Sequence, residues 1–366
     1  MHILHVVGAR PNFMKAAPVL RALAAHSGIR QTLVHTGQHY DAGMSEVFFR
    51  QLEMPEPDCN LEVGSGTHAQ QTAAIMLAFE AVLEERKPEL VLVYGDVNST
   101  VAAALVCAKL GVRVGHVEAG LRSRDRRMPE EINRLLTDQL SDLLFTPSAD
   151  ADENLRGEGI APAKIHLVGN VMIDTLVRLL PRAEGQFSSD LATPYAVVTL
   201  HRPSNVDDCA WLRELLGTLV DLSNRLSVIF PVHPRTRQRL DGLGAPPAPS
   251  GRLRLLEPLP YLEFLTLQRR AALVITDSGG IQEETTFLGV PCLTVRENTE
   301  RPITITLGTN QLVGTDLQRL RAAAEGIIGK NETLAGEQTR SRCRVPLWDG
   351  HAAERIAEIL ARDLGS

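Results

Sequence analysis

The first half of the chain alternates short apolar runs with longer amphipathic stretches. The runs are rich in β-branched residues and are continuous, which is typical of parallel strands covered on both faces. They predict strands at residues 3–7, 31–36, 90–94, 112–117 and 143–146. The intervening stretches predict helices at residues 16–25, 69–86 and 99–109. This regular alternation of strand and helix predicts a doubly wound parallel sheet.

The second half repeats the pattern, so the predicted fold class is α/β with two doubly wound, Rossmann-like domains. Its strands are predicted at residues 196–200, 227–232, 253–256, 273–276 and 291–295, and helices at 211–225 and 281–288. We place the domains at residues 1–169 and 170–350, and expect residues 351–366 to form a helix that packs back on the first domain. Two such domains leave a cleft at the carboxyl ends of their strands, where ligands bind.

Composition narrows the possible partners. The 366 residues include 38 Lys and Arg against 44 Asp and Glu, a net charge of −6, which leaves no basic excess for a nucleic-acid backbone. The five cysteines show neither Cys-x-x-Cys nor paired histidine spacing, so we expect no zinc site and no disulfide framework. No run approaches the roughly 20 apolar residues of a membrane span, and no leader-like segment is visible. We therefore expect a cytoplasmic protein with neither a nucleic-acid nor a membrane partner.

Charged residues follow the predicted strands of the first domain. Arg10 and Lys15 come after the first strand and place two cations at a helix start, which favours an anion site, although a solvated basic pair would look the same. Asp96 and Glu118 each follow an apolar strand, where a carboxylate is costly unless it is paired or used. A helix cap is the alternative for Asp96. These carboxylates are candidates for proton transfer.

The second domain carries two histidines and a glycine-rich turn at its strand ends. His201 and His233 each follow a predicted strand, where a histidine can act as an acid, a base or an anion partner. Residues 278–280 read Ser-Gly-Gly between a strand and a helix, an arrangement whose N–H groups bind phosphate, although a simple glycine turn is the alternative. Glu284, about one turn into that helix, is suited to accept hydrogen bonds from two ribose hydroxyls. The second domain is therefore expected to bind a nucleoside diphosphate.

Several segments together resemble one known family. They are GARPNFMKAAP, GDVNST, GHVEAGLRS, PEEINR, VGNVMIDTL, HRPSN and TDSGGIQEE with NTERP. In this order they resemble the non-hydrolysing UDP-N-acetylglucosamine 2-epimerases over nearly the whole chain. The resemblance implies a fold like that of the GT-B glycosyltransferases and the interconversion of UDP-GlcNAc and UDP-ManNAc. It also implies a homodimer that uses no cofactor and no metal.

The resemblance also assigns roles to residues of this sequence. The implied catalytic residues are Asp96, Glu118, Glu130 and His201, whereas Glu131 keeps an ordinary helix-start role. The implied substrate-binding residues are Arg10, Lys15, Phe264, Ser278, Gly279, Gly280, Glu284 and Arg301. An activator pocket that binds a second substrate molecule would involve Gln38, Gln71, Arg202 and His233.

The implied mechanism is anti elimination followed by re-addition. A base removes the C2 proton while UDP leaves C1, which forms 2-acetamidoglucal, and UDP then adds back with protonation from the other face. Two faces require two proton-handling groups, for which the carboxylates are the candidates. The alternatives are an epimerase of a related UDP-diacetamido uronic sugar, a GT-B glycosyltransferase, a hydrolysing epimerase and a nucleotide-sugar sensor without catalysis.

Overall fold

The computed structural model describes residues 1–38, 49–187, 194–242, 252–333 and 343–363. The protein divides into two compact units, one formed by Met1–Thr175 with Pro346–Ser366 and the other by Leu176–Val345. Each unit contains a parallel β-sheet packed against helices, which confirms the predicted α/β class with two Rossmann-like domains. None of the described helices is long and apolar enough to cross a membrane.

The first unit contains neighbouring strands whose ends carry the candidate chemistry. Its strands are β1 His2–Val7, β2 Arg30–His35, β3 Cys59–Asn60, β4 Leu90–Tyr94, β5 Arg113–Val117, β6 Leu143–Thr146 and β7 Ile165–Leu167. Its helices are α1 Arg10–Ala24, α2 His68–Arg86, α3 Asn98–Leu110, α4 Pro129–Leu140, α5 Ala149–Gly157 and α6 Val171–Ala183, the last of which continues into the second unit. In the described part of the unit the strands pair in the order β3-β2-β1-β4-β5-β6-β7. The chain segments that leave β1, β4 and β5 therefore lie side by side.

The second unit is built in the same way. Its strands are β8 Tyr195–Thr199, β9 Ser227–Pro231, β10 Leu253–Leu256, β11 Leu273–Thr276, β12 Cys292–Thr294 and β13 Asn310–Leu312. Its helices are α7 Pro203–Val206, α8 Cys209–Ser223, α9 Pro234–Gly242, α10 Tyr261–Arg270, α11 Gly279–Leu288, α12 Ile303–Thr306 and α13 Leu317–Thr333. Over the described residues the sheet order is β10-β9-β8-β11-β12-β13, so β8 lies between β9 and β11.

The core of each unit lies between its sheet and its helices. In the first unit, the buried side chains of Leu4 and Val93 belong to one apolar cluster with Phe79 of α2. In the second, Val198 of β8 clusters with Leu215 of α8. Burial of apolar surface stabilises the strands by roughly 25 cal/mol per Å². The polar residues of the candidate site therefore lie in the segments that follow the strands.

The boundary between the units differs from the prediction. It falls between residues 175 and 176 rather than 169 and 170, and the chain returns to the first unit at residue 346 rather than 351. The first turn of α6 belongs to the first unit because Thr175 donates a hydrogen bond to an α1 carbonyl at 2.6 Å. Asp174 accepts the N–H groups of Ala352 and Ala353 at the start of the last helix, α14 (Ala352–Asp363). α14 packs against α1.

Every predicted strand occurs, and no strand end differs from its prediction by more than one residue. The prediction missed β3, β7 and β13, which are two or three residues long and partly exposed, so they lack a continuous apolar run. α1 begins at Arg10 rather than at residue 16. Its early start follows from Asn12, whose Oδ1 accepts the N–H groups of Gly8 and Ala9 at 3.1 Å and turns the chain directly from β1 into the helix.

Candidate active site

The segments after β1, β4 and β5 bring two predicted residues into contact. The Lys15 ammonium lies 2.7 Å from Oε1 of Glu118, and both side chains are almost fully buried. Gly95, directly after β4, has φ of +63°, and a Cβ at this position would stand 2.5 Å from Nζ of Lys15. The glycine directly before Asp96 therefore leaves room for the buried ion pair.

Asp96 is held by two side chains of α4. Nε and Nη2 of Arg134 donate to Oδ2 of Asp96 at 3.0 and 2.6 Å, and Nδ2 of Asn133 donates to the Asp96 carbonyl at 2.8 Å. Arg134 is buried, whereas 21% of the Asp96 side chain is exposed, so this carboxylate is oriented and still accessible. Neither Asn133 nor Arg134 was predicted as a site residue, although both lie in the PEEINR segment.

The two glutamates in the first turn of α4 differ in environment. Glu131 is buried and accepts hydrogen bonds from N and Oγ of Ser123 and from N of Arg124, at 2.8 to 2.9 Å. It fixes the segment before α4, which is a larger role than the predicted helix-start role. Glu130 is exposed, and within the described residues its carboxylate forms no hydrogen bond or ion pair. The structure does not bring Glu130 into contact with Asp96 or Glu118, and its catalytic role stays a prediction.

A fully buried charged cluster beside these segments escaped the sequence analysis. On β5, His116 places Nδ1 2.6 Å from Oδ1 of Asp138 and Nε2 2.8 Å from the carbonyl oxygen of Gly95. Oδ2 of Asp138 accepts the N–H of Gly120 at 3.1 Å and pairs with Arg122 at 2.7 Å. Burial alone would raise the pKa of Asp138, but attraction and hydrogen bonds from His116 and Arg122 outweigh burial and lower the pKa. The available signal was a histidine within the buried part of a predicted strand.

The other predicted residues of the first unit occupy different environments. Arg10 is exposed at the first residue of α1, whereas Gln38 and Gln71 are buried. Oε1 of Gln38 accepts from N and Oγ of Ser99 at 3.0 and 2.7 Å. Nε2 of Gln71 donates to the carbonyls of Gln38 and Gly64, both at 3.0 Å. Both glutamines hold backbone in place, and their activator role stays a prediction.

In the second unit, Asp277 organises the segments after the strands, although the sequence analysis did not select it. This fully buried carboxylate accepts from the N–H groups of His201 and Arg202 and from Nδ2 of Asn205, at 2.9 to 3.2 Å. Nδ1 of His201 lies 3.0 Å from Oδ1 of Asp277. Burial would raise the pKa of Asp277, but hydrogen bonding and attraction from His201 and backbone N–H groups outweigh it and lower the pKa. The His233 ring centroid lies 5.7 Å from that of His201, so the three predicted residues His201, Arg202 and His233 come together.

The Ser-Gly-Gly segment forms the start of α11, which begins at Gly279 and follows Ser278. Helix N-termini attract anions because their first N–H groups lack partners within the helix. A Cβ at Gly279 would stand 2.4 Å from Nη1 of Arg301, whose guanidinium is buried and pairs with Glu300 at 2.5 Å and Glu283 at 2.7 Å. A larger residue would displace Arg301 from these ion pairs, so the predicted Gly279 and Arg301 depend on each other.

Glu284 and Phe264 are placed by the packing of α10 against α11. The buried Glu284 accepts a hydrogen bond from the Tyr261 hydroxyl at 2.8 Å. Phe264 is partly buried in the same apolar cluster as Ile281 of α11. Tyr261, three residues before Phe264, escaped the sequence analysis. The hydrogen bond orients the carboxylate that is predicted to accept hydrogen bonds from ribose hydroxyls.

The geometry supports two kinds of chemistry, each within its own unit. The first unit presents Asp96 and Glu118, each beside a cation, which suits proton transfer. The second presents a helix N-terminus beside a buried arginine, which suits an anionic ligand. Within residues 1–38, 49–187, 194–242, 252–333 and 343–363, no group of three His, Cys, Asp or Glu side chains is arranged to hold a metal ion.

Comparison with known proteins points to one family. The sequence model described as UDP-N-acetylglucosamine 2-epimerase matches residues 21–361. The chain is 40% identical to a UDP-N-acetylglucosamine 2-epimerase of Methanococcus maripaludis, with 97% of each chain covered. It is 42% identical to a UDP-2,3-diacetamido-2,3-dideoxy-D-glucuronate 2-epimerase of Pseudomonas aeruginosa, with 99% of this chain and 100% of that one covered. The crystal structure of Methanocaldococcus jannaschii UDP-GlcNAc 2-epimerase in complex with UDP-GlcNAc and UDP matches with a TM-score of 0.88 and 40% identity, covering 99% of this chain and 100% of that one.

Proposed function

Because the chain belongs to the UDP-N-acetylglucosamine 2-epimerase family, we propose that it interconverts UDP-GlcNAc and UDP-ManNAc by inverting carbon C2. One observation carries this proposal. The chain matches a protein named UDP-N-acetylglucosamine 2-epimerase over nearly its whole length and also places Asp96 and Glu118 beside cations after adjacent strands. The enzyme is therefore an isomerase that works on a sugar nucleotide.

The proposed reaction is an elimination and its reversal. A carboxylate takes the C2 proton, the C1–O bond breaks, and UDP leaves with the electron pair, which forms 2-acetamidoglucal. UDP then adds back to C1 while a second acid delivers a proton to the other face of C2. Proton removal from both faces needs two groups, and we assign this work to the set Asp96, Glu118 and Glu130.

The leaving UDP needs stabilisation of its negative charge. We assign this role to His201, Arg10 and the N-terminus of α11 at Ser278. The contact of His201 Nδ1 with Oδ1 of Asp277, at 3.0 Å, supports the assignment, because it orients the imidazole ring. A well-placed donor of this kind contributes typically about 3–4 kcal/mol to the transition state.

Two UDP-linked sugars are candidates for the substrate. The two relatives act, by their names, on UDP-N-acetylglucosamine and on UDP-2,3-diacetamido-2,3-dideoxy-D-glucuronate, and this chain is 40% and 42% identical to them. The second candidate function is therefore epimerisation of the diacetamido uronate. Parallel incubations with each UDP-sugar separate the two, because the true substrate turns over with the larger kcat/KM.

The decisive experiment is proton NMR of UDP-GlcNAc incubated with the pure protein in D2O and without an acceptor. We expect UDP-ManNAc to appear and deuterium to enter C2 of both sugar nucleotides. A GT-B glycosyltransferase would make no new sugar nucleotide, and a hydrolysing epimerase would release free ManNAc and UDP. Turnover without deuterium at C2 would contradict the elimination mechanism.

A homodimer is the partner arrangement that we propose. α3 packs against both α2 and α4, and these two helices expose apolar side chains. Leu77 on α2 is 73% exposed, and Ile132 and Leu136 on α4 are 45% and 44% exposed. A second copy that covers such a surface would remove it from water. Light scattering should report a dimer that Leu77→Glu converts to a monomer, whereas Leu307→Glu, at an exposed leucine of the second unit, should leave the dimer intact.

A further inference from the structure

The two carboxylates assigned to proton transfer stand on separate segments that follow β4 and β5. Both segments leave regular strand geometry at once, because Gly95 has φ of +63°, Glu118 has φ of +74° and Gly120 has φ of +81°. A positive φ at a non-glycine residue such as Glu118 costs energy and persists only where the surroundings hold it. The structure must therefore contain groups that hold both segments in place.

We infer that His116 and Asp138 are positioning residues that hold the Asp96 and Glu118 segments at a fixed separation. The inference rests on the proposed function, since it concerns how that reaction's carboxylates are placed. One end of the pair is Nε2 of His116, 2.8 Å from the carbonyl oxygen of Gly95, the residue before Asp96. The other end is Oδ2 of Asp138, which accepts the N–H of Gly120 two residues after Glu118, at 3.1 Å.

The hydrogen-bonding capacity of each atom defines where the protons lie. A carbonyl oxygen only accepts, so Nε2 of His116 donates to Gly95. The His116 Nδ1 to Asp138 Oδ1 distance is 2.6 Å, which is typical of a charge-assisted hydrogen bond. Asp138 is also paired with Arg122, which favours its ionised form, so Nδ1 donates as well. The buried His116 ring thus donates to Gly95 in the Asp96 segment and to Asp138. The Asp138 carboxylate in turn holds the Glu118 segment through Gly120.

Burial on the same sheet does not by itself produce this arrangement. His5 on β1 is also fully buried, and its Nδ1 lies 2.6 Å from the Tyr94 hydroxyl. No carboxylate adjoins it among its described contacts, and burial lowers the pKa of His5 to about 3, so its ring stays neutral. His5 is therefore a matched control, because it has equal burial and no hydrogen bond to the segment that carries either carboxylate.

Two conservative substitutions of His116 separate its hydrogen bond to Gly95 from its hydrogen bond to Asp138. In His116→Gln, the amide nitrogen reaches the place of Nε2 and retains the donor to Gly95. In His116→Asn, the amide nitrogen reaches the place of Nδ1 and retains only the bond to Asp138. The control is His5→Gln. All three are made in the full chain, and kcat, KM, Tm and amide hydrogen exchange without substrate are measured for each.

We expect His116→Asn to lower kcat about 100-fold, the loss typical of a catalytic group displaced by about 1 Å, with little change in KM. His116→Gln should recover a large part of that loss. Exchange at residues 95–98 should be faster in His116→Asn than in His116→Gln, and His5→Gln should keep wild-type kcat even where its Tm falls. Wild-type kcat and exchange in His116→Asn would overturn the inference, as would equal kcat losses in His116→Asn and His5→Gln. If the wild type does not turn over UDP-sugars, the proposed function fails, and exchange alone decides whether the pair holds the two segments.

Discussion

Replacing Asp174 with asparagine tests how α14 is held on the first unit. The carboxylate is only 7% exposed and accepts the N–H groups of Ala352 and Ala353. Burial raises its pKa from the ordinary 3.8 to about 6, so the folded protein binds this proton more tightly than the unfolded chain does. At about 1.4 kcal/mol for each pH unit, the difference corresponds to about 3 kcal/mol. This stabilisation is fully present below pH 3.8 and is lost as the pH rises through about 6.

Asparagine does not titrate, so the variant lacks this pH dependence. We therefore expect the free energy of unfolding of the wild type, relative to Asp174→Asn, to fall by about 3 kcal/mol between about pH 3 and pH 7. Urea denaturation of both proteins across this pH range measures the difference between their free energies of unfolding. The titrating groups that both proteins share contribute equally and drop out of this difference. Glu84→Gln, which removes a carboxylate from an exposed position on α2, is the control for the loss of one charge. A flat or rising curve for Asp174→Asn would refute the reasoning.

Three further predictions address the candidate site. Asp96→Asn should lower turnover about a hundredfold or more while UDP binding measured by calorimetry stays nearly intact, and near-normal turnover would remove Asp96 from the catalytic set. Lys15→Met or Glu118→Gln should each cost about 3–5 kcal/mol of stability in denaturant titrations, because each leaves an uncompensated buried group, and the double variant should lose less than the two losses combined. Gly279→Ala should weaken UDP binding, since its Cβ would stand 2.4 Å from a guanidinium nitrogen, whereas Gly217→Ala, where nothing lies within 4 Å, should leave binding unchanged.

Much of the fold was accessible from the sequence because buried parallel strands leave a strong local signal. β4 and β11 match their predictions residue for residue, since each is a continuous run of buried residues that are mostly apolar. β7 and β13 were missed because short, partly exposed strands form where a neighbouring strand offers hydrogen bonds, and their own residues carry no comparable pattern.

Parts of the site were accessible for a similar reason. Gly95 and Gly279 were visible as glycines after predicted strands, and both prove to make room for a buried cation. Asp277 was passed over because an aspartate before a glycine turn resembles an ordinary turn residue. Its role becomes visible only in the structure, where the buried Asp277 carboxylate accepts the N–H groups of the segment that begins at His201.

The sequence by itself determined the α/β class, the strand positions and the chemistry placed at strand ends, because strand burial and turn formation depend on residues close together in the chain. Only the tertiary structure decided the pairings. Arg134 holds Asp96 across 38 residues, and Asp138 pairs with His116 across 22. Such contacts depend on which strands become neighbours in the sheet, and that order is set by packing of the whole unit, which no local spacing records.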